Sequence, residues 1–485
     1  MSAVPVLLGV DVGTSHTKVL VATRTGDEIV AVATPTLWRH HNGKFTDIDP
    51  EDLLRSVLSL LAKAVTAASG QVEAPVVAAI AVTGMAEAGV LITESGQAIH
   101  PVIAWFDPRG EAEVRRLPAQ LLAEFCGRTG LPVSSLATIA KLAWMREQGT
   151  HFRDRQWLNI PEFLVHRLGG ARASEFSLTA RTGLLDQDSG ALWSAALDAI
   201  GATPDLIPPL VVAGTPLGRA CGQLVPEVLH GAVLTVAGHD HAVAAVGCGA
   251  TGANDVFDSF GTAEALVRSV DGNLDHAARD RLASAGINAV HHVLSGRRLL
   301  LAATKAGLLM RRTLDLLGAT GDLAREDLDT AAVELANLRT TQNEEAEAGV
   351  QVLGAANDDG TLHITITADG VTPAALWLAT VEHSIEEAER CLKLMAAEIG
   401  PAGTVIVAGG WTKMNSVRRA KARSQQHIRF SARAQAGAFG ATMFAAHAAE
   451  VAEQQAQSGN HTGNSVQSPI GPSESFAARY TLAVT

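Results

Sequence analysis

Apolar positions along the chain switch between two periods, and the switch points divide it into strands and helices. Val6 to Val12 is a β-branched and leucine run and Val19-Leu20-Val21 is a second. The intervening Gly13-Thr14-Ser15 predicts a tight hairpin. A third alternating segment covers Ile29 to Thr34, and Asn42-Gly43 marks a turn. Asp49-Pro50-Glu51-Asp52 reads as a helix start, with an N-cap carboxylate, a first-turn proline and acids facing the positive end of the dipole. Leu54, Leu58, Leu61 and Val65 follow at helical spacing, and Val76 to Val82 is a buried strand stopped by Thr83-Gly84. Strand, hairpin, helix and strand together open an α/β domain.

Residues 90–104 read as another hairpin around Ser95-Gly96, residues 111–170 as mainly helical, and Pro204 to Pro216 as connecting chain. Leu234-Thr235-Val236 is a short strand feeding the central stretch Ala237 to Thr262. That stretch holds a glycine-flanked carboxylate, an alanine-rich helix pattern and an alternating segment that turns at Phe260-Gly261-Thr262. Strand patterns resume at Ala265 to Val270, Val290 to Leu294 and Leu299 to Ala302, and 304–345 is helical and charged. Thr372-Pro373 caps a long helix that buries Val381, Ile385, Ala388, Leu392, Met395 and Ile399 on one face, until Gly400-Pro401 ends it. Val405 to Ala408 is a buried strand, Gly409-Gly410 its turn and Met414 to Arg423 a helix. A small-residue helix spans Gly437 to Ala449, and the Gln-, Ser-, Gly- and Asn-rich residues 451–485 read as a mobile tail. Asp11-Val12-Gly13-Thr14 is echoed by Ser259-Phe260-Gly261-Thr262. The echo suggests two similar α/β domains, 1–248 and 249–450, that present matching loops to one cleft.

Composition narrows the partners. A chain of 485 residues is too long for one compact core, and 47% hydrophobic residues supply more than one. No run approaches the roughly 20 apolar residues of a membrane span, so no membrane partner is expected. Met1 to Pro5 leads straight into a strand without the basic flank of a signal peptide, and Cys126, Cys221, Cys248 and Cys391 have no CxxC or zinc spacing. A reduced cytoplasmic enzyme is the expectation. Net charge is −12, aromatics are 4% and no basic tract occurs, which argues against nucleic acid. An anionic ligand must then be held locally, by backbone amides or a metal.

The candidate chemistry starts with the two Gly-Thr turns. Glycine lets the backbone approach an oxygen, and successive amides form an anion-binding nest. Thr14 and Thr262 add hydroxyl donors, and Lys18 can reach a terminal phosphate. Each turn alone also reads as an ordinary hairpin turn. Asp11, at the end of a buried strand, suits hard-cation or water contact, or capping of the turn amides. Asp240 reads either as N-cap of a helix His241 to Gly247 or as a general base for a hydroxyl nucleophile. His239 and His241 flank it without zinc spacing. Gly247-Cys248-Gly249-Ala250-Thr251-Gly252 satisfies GxGxxG, but a helix precedes it and a strand follows, so it is not a dinucleotide fingerprint. Glu87, Trp105, Asp107 and Arg109 lie just after strand ends and suit a ligand with several hydroxyls and a carbon face, or a solvated loop with one ion pair. Gly409-Gly410 allows close approach of a ribose or base, or tight strand–helix packing.

Taken together, the chain resembles the FGGY carbohydrate kinases over about residues 6–450. GVDVGTSHTK (Gly9 to Lys18) resembles their first phosphate motif and AWFDPR (Ala104 to Arg109) their substrate loop. AGHDH (Ala237 to His241) matches the position of the catalytic aspartate. DSFGT (Asp258 to Thr262) is similar to the second phosphate motif and VIVAGGWTKMNS (Val405 to Ser416) to the adenosine motif. Glu87 resembles the glutamate of glycerol kinases, which stands where xylulokinases have histidine. Leu136 is the nearest match to a tyrosine that glycerol kinases place after TGLP, and Trp411 follows the glycine pair where a small residue is usual.

The resemblance implies an α/β fold of two ribonuclease H-like, actin-type ATPase domains flanking a central cleft. ATP and Mg²⁺ would serve a kinase acting on a small ketose or polyol. Asp240 would be the general base and Asp11 would help hold Mg²⁺ through water. Gly13, Thr14, Ser15, Lys18, Gly261 and Thr262 would cradle phosphates, and Gly409, Gly410 and Asn415 would lie near the adenosine. Glu87, Trp105, Asp107, Arg109 and His241 would contact the sugar. A homodimer is the expected assembly. A non-catalytic sugar or nucleotide sensor on the same fold is the alternative, and an actin-like filament or chaperone ATPase a third reading.

Overall fold

The computed structural model describes residues 4–342, 349–353, 361, 363–425 and 427–458. Its contacts divide the chain into Met1–Thr251, Asp271–Leu299 and Gln435–Thr485 as one unit, and Gly252–Val270 with Leu300–Ala434 as the other. The expected 1–248 and 249–450 boundaries therefore need correction: the chain crosses between units four times, and its last helix belongs with the first unit.

The first unit is built on a five-stranded sheet in the order Val233–His239, Pro75–Gly84, Val4–Val12, His16–Thr23, Glu28–Pro35. Val4–Val12 pairs antiparallel with His16–Thr23 as the predicted hairpin, and parallel with Pro75–Gly84 on its other side. Val233–His239 is parallel to Pro75–Gly84. The central strands are apolar throughout because both faces are covered. Helix Pro50–Ala68 begins at Asp49, whose carboxylate accepts from the amides of Glu51 and Asp52, and it buries Leu54, Leu58, Leu61 and Val65.

A second helix, Ala436–Gln457, closes against the same sheet, and its small residues explain how. A Cβ on Gly9 would lie 2.0 Å from the carbonyl oxygen of Ala438, and one on Gly440 would lie 2.1 Å from that of Val243. Backbones touch where side chains would otherwise hold them apart. This helix runs to Gln457 and so takes in the first residues of the tail expected over 451–485; residues 459–485 lie outside the described residues.

Two further expectations change. Residues 90–104 hold the expected hairpin only around Ser95-Gly96, where the Thr93 amide donates to Gln97 O and the Ile99 amide to Leu91 O; beyond it Gly89–Thr93 also pairs with Arg155–Asn159, and Val102–Ile103 pairs with Phe45–Ile48. Alternation marks a strand but does not name its partner. The helix after the central carboxylate is Asp240–Gly247 with His239 at the N-cap, so Asp240 is its first helical residue and not its cap.

The second unit repeats the same wiring. Five strands of a six-stranded sheet run in the order Arg297–Thr304, Glu264–Asp271, Val256–Phe260, Val405–Ala408, Ile428–Phe430. Val256–Phe260 pairs antiparallel with Glu264–Asp271 and parallel with Val405–Ala408, which is parallel in turn to Ile428–Phe430. Helix Pro373–Ile399 starts at Thr372, whose hydroxyl accepts from the amide of Ala375. It buries Val381, Ile385, Ala388, Leu392 and Met395. Among the described residues, no helix is long and apolar enough to cross a membrane.

Candidate active site

Three neighbouring parallel strands of the first unit end at one edge of its sheet. Asp11 pairs in register with Thr83, and Thr83 with Gly238. The Thr83 hydroxyl donates to the Gly238 carbonyl at 2.7 Å and locks the third strand to the second. The carboxyl ends of parallel strands are where α/β proteins place ligands, because the chain turns away there and leaves a crevice. Asp11, Glu87 and Asp240 all sit at that edge.

Asp11 is buried, and its carboxyl is pushed up to about 7 by burial and by Asp240, with Lys18 pulling the other way. A Cβ on Gly437 would lie 2.6 Å from Asp11 Oδ2, so the carboxylate rests against the first turn of the Ala436–Gln457 helix. Asp240 keeps 21% of its side chain accessible; its Oδ1 accepts from the His241 amide at 2.7 Å and lies 3.2 Å from His239 Nε2. His239 is held neutral, well below its ordinary value, first by burial and then by Arg181, His241 and His292. It packs edge-on against the His241 ring at 5.5 Å.

Glu87 is buried with a left-handed backbone, φ 62°. Non-glycine residues pay for that conformation and keep it where surroundings enforce it. Its partner is Arg181, whose Nε donates to Oε1 at 2.6 Å and whose Nη2 is in contact with the same oxygen. Arg181 carries no spacing or motif signal, stands 94 positions away, and was not among the residues expected from the sequence.

The remaining predicted residues of this unit form a supporting wall. Trp105 Nε1 donates to the Thr14 hydroxyl at 2.9 Å, and Trp38 Nε1 to the Thr14 carbonyl at 2.7 Å. The Gly13 amide donates to His16 O at 3.1 Å, closing the turn. Gly13, Thr14 and Ser15 are thus a pinned turn, with Lys18 on the strand beyond and opposite Asp11 in register. Asp107 is spent internally: Oδ1 accepts from Arg109 Nε at 2.8 Å and Oδ2 from the Thr46 amide and Arg109 Nη2. Burial pushes its carboxyl up, but Arg109 and those amides hold it below the usual range. Asp107 and Arg109 build the loop that presents Trp105. Lys141, fully buried, donates to the carbonyls of Trp105, Asp107 and Ser135 from beneath, and burial lowers its ammonium to about 8.

In the second unit, the Gly261–Thr262 turn follows Val256–Phe260. The Gly261 carbonyl accepts from Trp411 Nε1 at 2.9 Å, and a Cβ on Gly307 would lie 1.9 Å from it. Trp411, unusual at its position, has a structural use in tying two loops together. Gly409 has φ 121° and a Cβ there would lie 2.2 Å from Phe260 O, so only glycine fits; Gly410 has open space. Asn415 opens helix Asn415–Ser424. Its amide, and that of Ser416, donate to Asp329 at 2.7 and 2.8 Å, so a carboxylate from another helix serves as the cap. The Asn415 side chain is exposed.

For a hard cation, the first unit offers the Asp11 and Asp240 carboxylates; burial and the Asp240 charge make Asp11 costly to ionise, and a cation offsets that cost. Among the described residues no group of three or more His, Cys, Asp or Glu gathers as a cage. One or two carboxylates with water and phosphate oxygens is a donor set that suits Mg²⁺.

Residues 6–247 match the FGGY family of carbohydrate kinases, N-terminal domain. An L-fuculokinase of Escherichia coli K12 is 27% identical over 278 residues, 54% of this chain and 56% of that protein. A gluconokinase of Bacillus subtilis strain 168 is 24% identical over 209 residues, 42% of this chain and 40% of that one. The chain spans about half the length of the curated relatives it matches. In fold it is similar to the crystal structure of Plasmodium falciparum glycerol kinase with ADP. That match has a TM-score of 0.82 at 14% identity and covers 100% of this chain and 93% of that one. The α/β architecture is that of an actin-type ATPase.

Proposed function

Because the chain belongs to the FGGY family of carbohydrate kinases, we propose that it transfers the terminal phosphoryl group of ATP to a hydroxyl of a small sugar or polyol. The observation that carries this reading is the placement of Asp11, Glu87 and Asp240 at the ends of three adjacent strands of one sheet. Asp240 is the half-buried carboxylate with water access; it is the first helical residue and not the N-cap, and only its Oδ1 accepts a first-turn amide, that of His241. It accepts the proton of the acceptor hydroxyl as that oxygen bonds to phosphorus and the bridging bond to ADP breaks. Positioned base catalysis of this kind contributes about 10²–10⁴-fold.

Asp11, through water, is the residue that would hold Mg²⁺; the ion supplies charge neutralisation on the phosphates, as in other phosphoryl transfers. Within the first unit the pinned Gly13–Ser15 turn and Lys18 offer donors to phosphate; within the second, Gly261 and Thr262 form a turn of the same kind. The open space at Gly410, beside Gly409 and Asn415, suits the nucleoside. Glu87, Trp105 and His241 face the acceptor, with Asp107 and Arg109 holding the Trp105 loop. A homodimer is the assembly in which we place the enzyme. The test is release of ADP that depends on an added acceptor, across a panel of polyols and ketoses. ADP release without acceptor, or none with any acceptor, overturns the reading.

A further inference from the structure

The strand that leads to Asp240 is irregular just before it. Val233–His239 keeps step with Pro75–Gly84 as far as Val236, then slips by one residue and resumes at Gly238 opposite Thr83. A bulge re-aims the residues beyond it and breaks the ladder that would hold them. Gly238 then takes φ 105°, a conformation open to glycine because no Cβ restrains it.

Two side-chain hydroxyls stand in for the interrupted ladder, one on each side of a single peptide bond. The Thr83 hydroxyl donates to the Gly238 carbonyl at 2.7 Å, and the His239 amide donates to Ser177 Oγ at 3.0 Å. Thr83, Ser177 and His239 are all buried. The one hydrogen of the Ser177 hydroxyl goes to Glu175 Oε2 at 2.5 Å, so its lone pairs are left to the His239 amide. Glu175 is anchored in turn: its amide donates to Glu162 Oε1 at 2.8 Å, and its Oε2 also accepts from the Leu178 amide. A Cβ on Gly238 would lie 2.6 Å from Ser177 Oγ, so the hydroxyl rests directly on this backbone.

His239 is the N-cap of helix Asp240–Gly247. In a capping box the N-cap amide is taken by a glutamate or glutamine at the third helical position, and here that position is Ala242. Ser177, from 62 positions away, fills the place. The Asp240 carboxylate hangs from the next peptide: Oδ1 accepts from the His241 amide and stands 3.2 Å from His239 Nε2. Its direction therefore follows the plane of the Gly238–His239 peptide.

Resting on the reading of Asp240 as the base, we propose that Thr83 and Ser177 are positioning residues for the transfer. They clamp the Gly238–His239 peptide from both sides and so aim the Asp240 carboxylate at the acceptor hydroxyl, with Glu175 fixing the Ser177 hydroxyl. Neither need touch the substrates. Releasing the clamp misaligns the base and slows the chemical step without weakening binding.

The experiment follows ADP release by single variants of the full chain, with whichever of glycerol, D-xylulose, L-fuculose and D-gluconate the wild type turns over fastest. Ser177→Ala and Thr83→Val should each lower kcat by about 10-fold or more, while the KM values for ATP and acceptor stay within about 2-fold. Thr83→Ser keeps the hydroxyl and should recover most of the rate. Thr235→Val is the control. It removes another buried hydroxyl of the same strand, one that donates to the Thr215 carbonyl at 2.7 Å, and should lower Tm while leaving kcat unchanged. Should Ser177→Ala fail to fold, Thr83→Val and its serine rescue decide the matter. A slow Asp240→Asn beside clamp variants that keep the wild-type kcat, or that change KM alone, overturns the inference and leaves the base reading standing. An equal loss of kcat in Thr235→Val also overturns it. Wild-type turnover by Asp240→Asn, or no ADP with any acceptor, overturns both.

Discussion

Asp11 Oδ2 occupies the space into which a side chain on Gly437 would grow, 2.6 Å from the position of its Cβ. The two residues stand at opposite ends of the chain, and their contact ties the last helix to the strand end that carries the proposed metal-holding carboxylate. Gly437→Ala separates two effects of opposite sign. Alanine is the better helix former by about 1 kcal/mol, so a carboxylate free to move aside would leave the protein more stable. Displacing a buried, packed group instead costs about 1–3 kcal/mol. We expect a lower Tm together with a several-fold higher Mg²⁺ requirement for acceptor-dependent ADP release, measured by thermal melting and a Mg²⁺ titration.

The second unit depends on a buried triad. Lys421 Nζ donates to Asp258 Oδ2 at 2.7 Å and to Glu264 Oε1, all three nearly inaccessible. Burial would lower the lysine, but the two carboxylates outweigh it and raise it; Glu264 is pushed up to about 7 by burial despite Lys421. Lys421→Met leaves two buried acids without their cation and should destabilise this unit by about 3–5 kcal/mol. The readout is an unfolding transition that moves to lower denaturant. An unmoved midpoint would mean that the triad contributes nothing.

His292 gives the pH dependence. Burial, with Arg297 second, lowers it to about 3, and its Nδ1 accepts from the Leu294 amide at 2.9 Å, which requires the neutral ring. Between pH 6.5 and 3 the unfolded chain binds a proton here and the folded chain does not, so this group costs stability as pH falls through that window. His292→Asn keeps an acceptor for the Leu294 amide and removes the titration. From pH 6.5 to 5 wild type should lose about 1.6 kcal/mol relative to the variant, the slope rising from half its full value of about 1.4 kcal/mol per pH unit at pH 6.5 to nearly all of it at pH 5. Denaturation midpoints at the two pH values check it.

Much of this was legible in the residues because local rules governed it. The Gly13–Ser15 turn, the Asp49 cap and the Thr372 cap follow from turn and capping chemistry, and all three appear in the structure. What was not legible depends on partners distant in the chain. Alternation at 90–104 could not reveal that Gly89–Thr93 pairs with 155–159. The small-residue helix gave no sign that it returns to the first strand, because only the tertiary contact of Gly9 with Ala438 shows why it is small. Asp240 looked like a cap from its neighbours, yet the helix begins one residue earlier and His239 takes that position. Arg181 carried no signal, since a single arginine becomes informative only once Glu87 is beside it.

The central claim is that the Asp240 carboxylate removes a proton from the acceptor. Asp240→Asn keeps size and one acceptor oxygen but cannot take that proton. The decisive measurement is a single turnover with ATP and the preferred acceptor, alongside ATP binding by calorimetry. The account predicts phosphoryl transfer slower by about 10²–10⁴-fold with ATP affinity unchanged; transfer at the wild-type rate would contradict it.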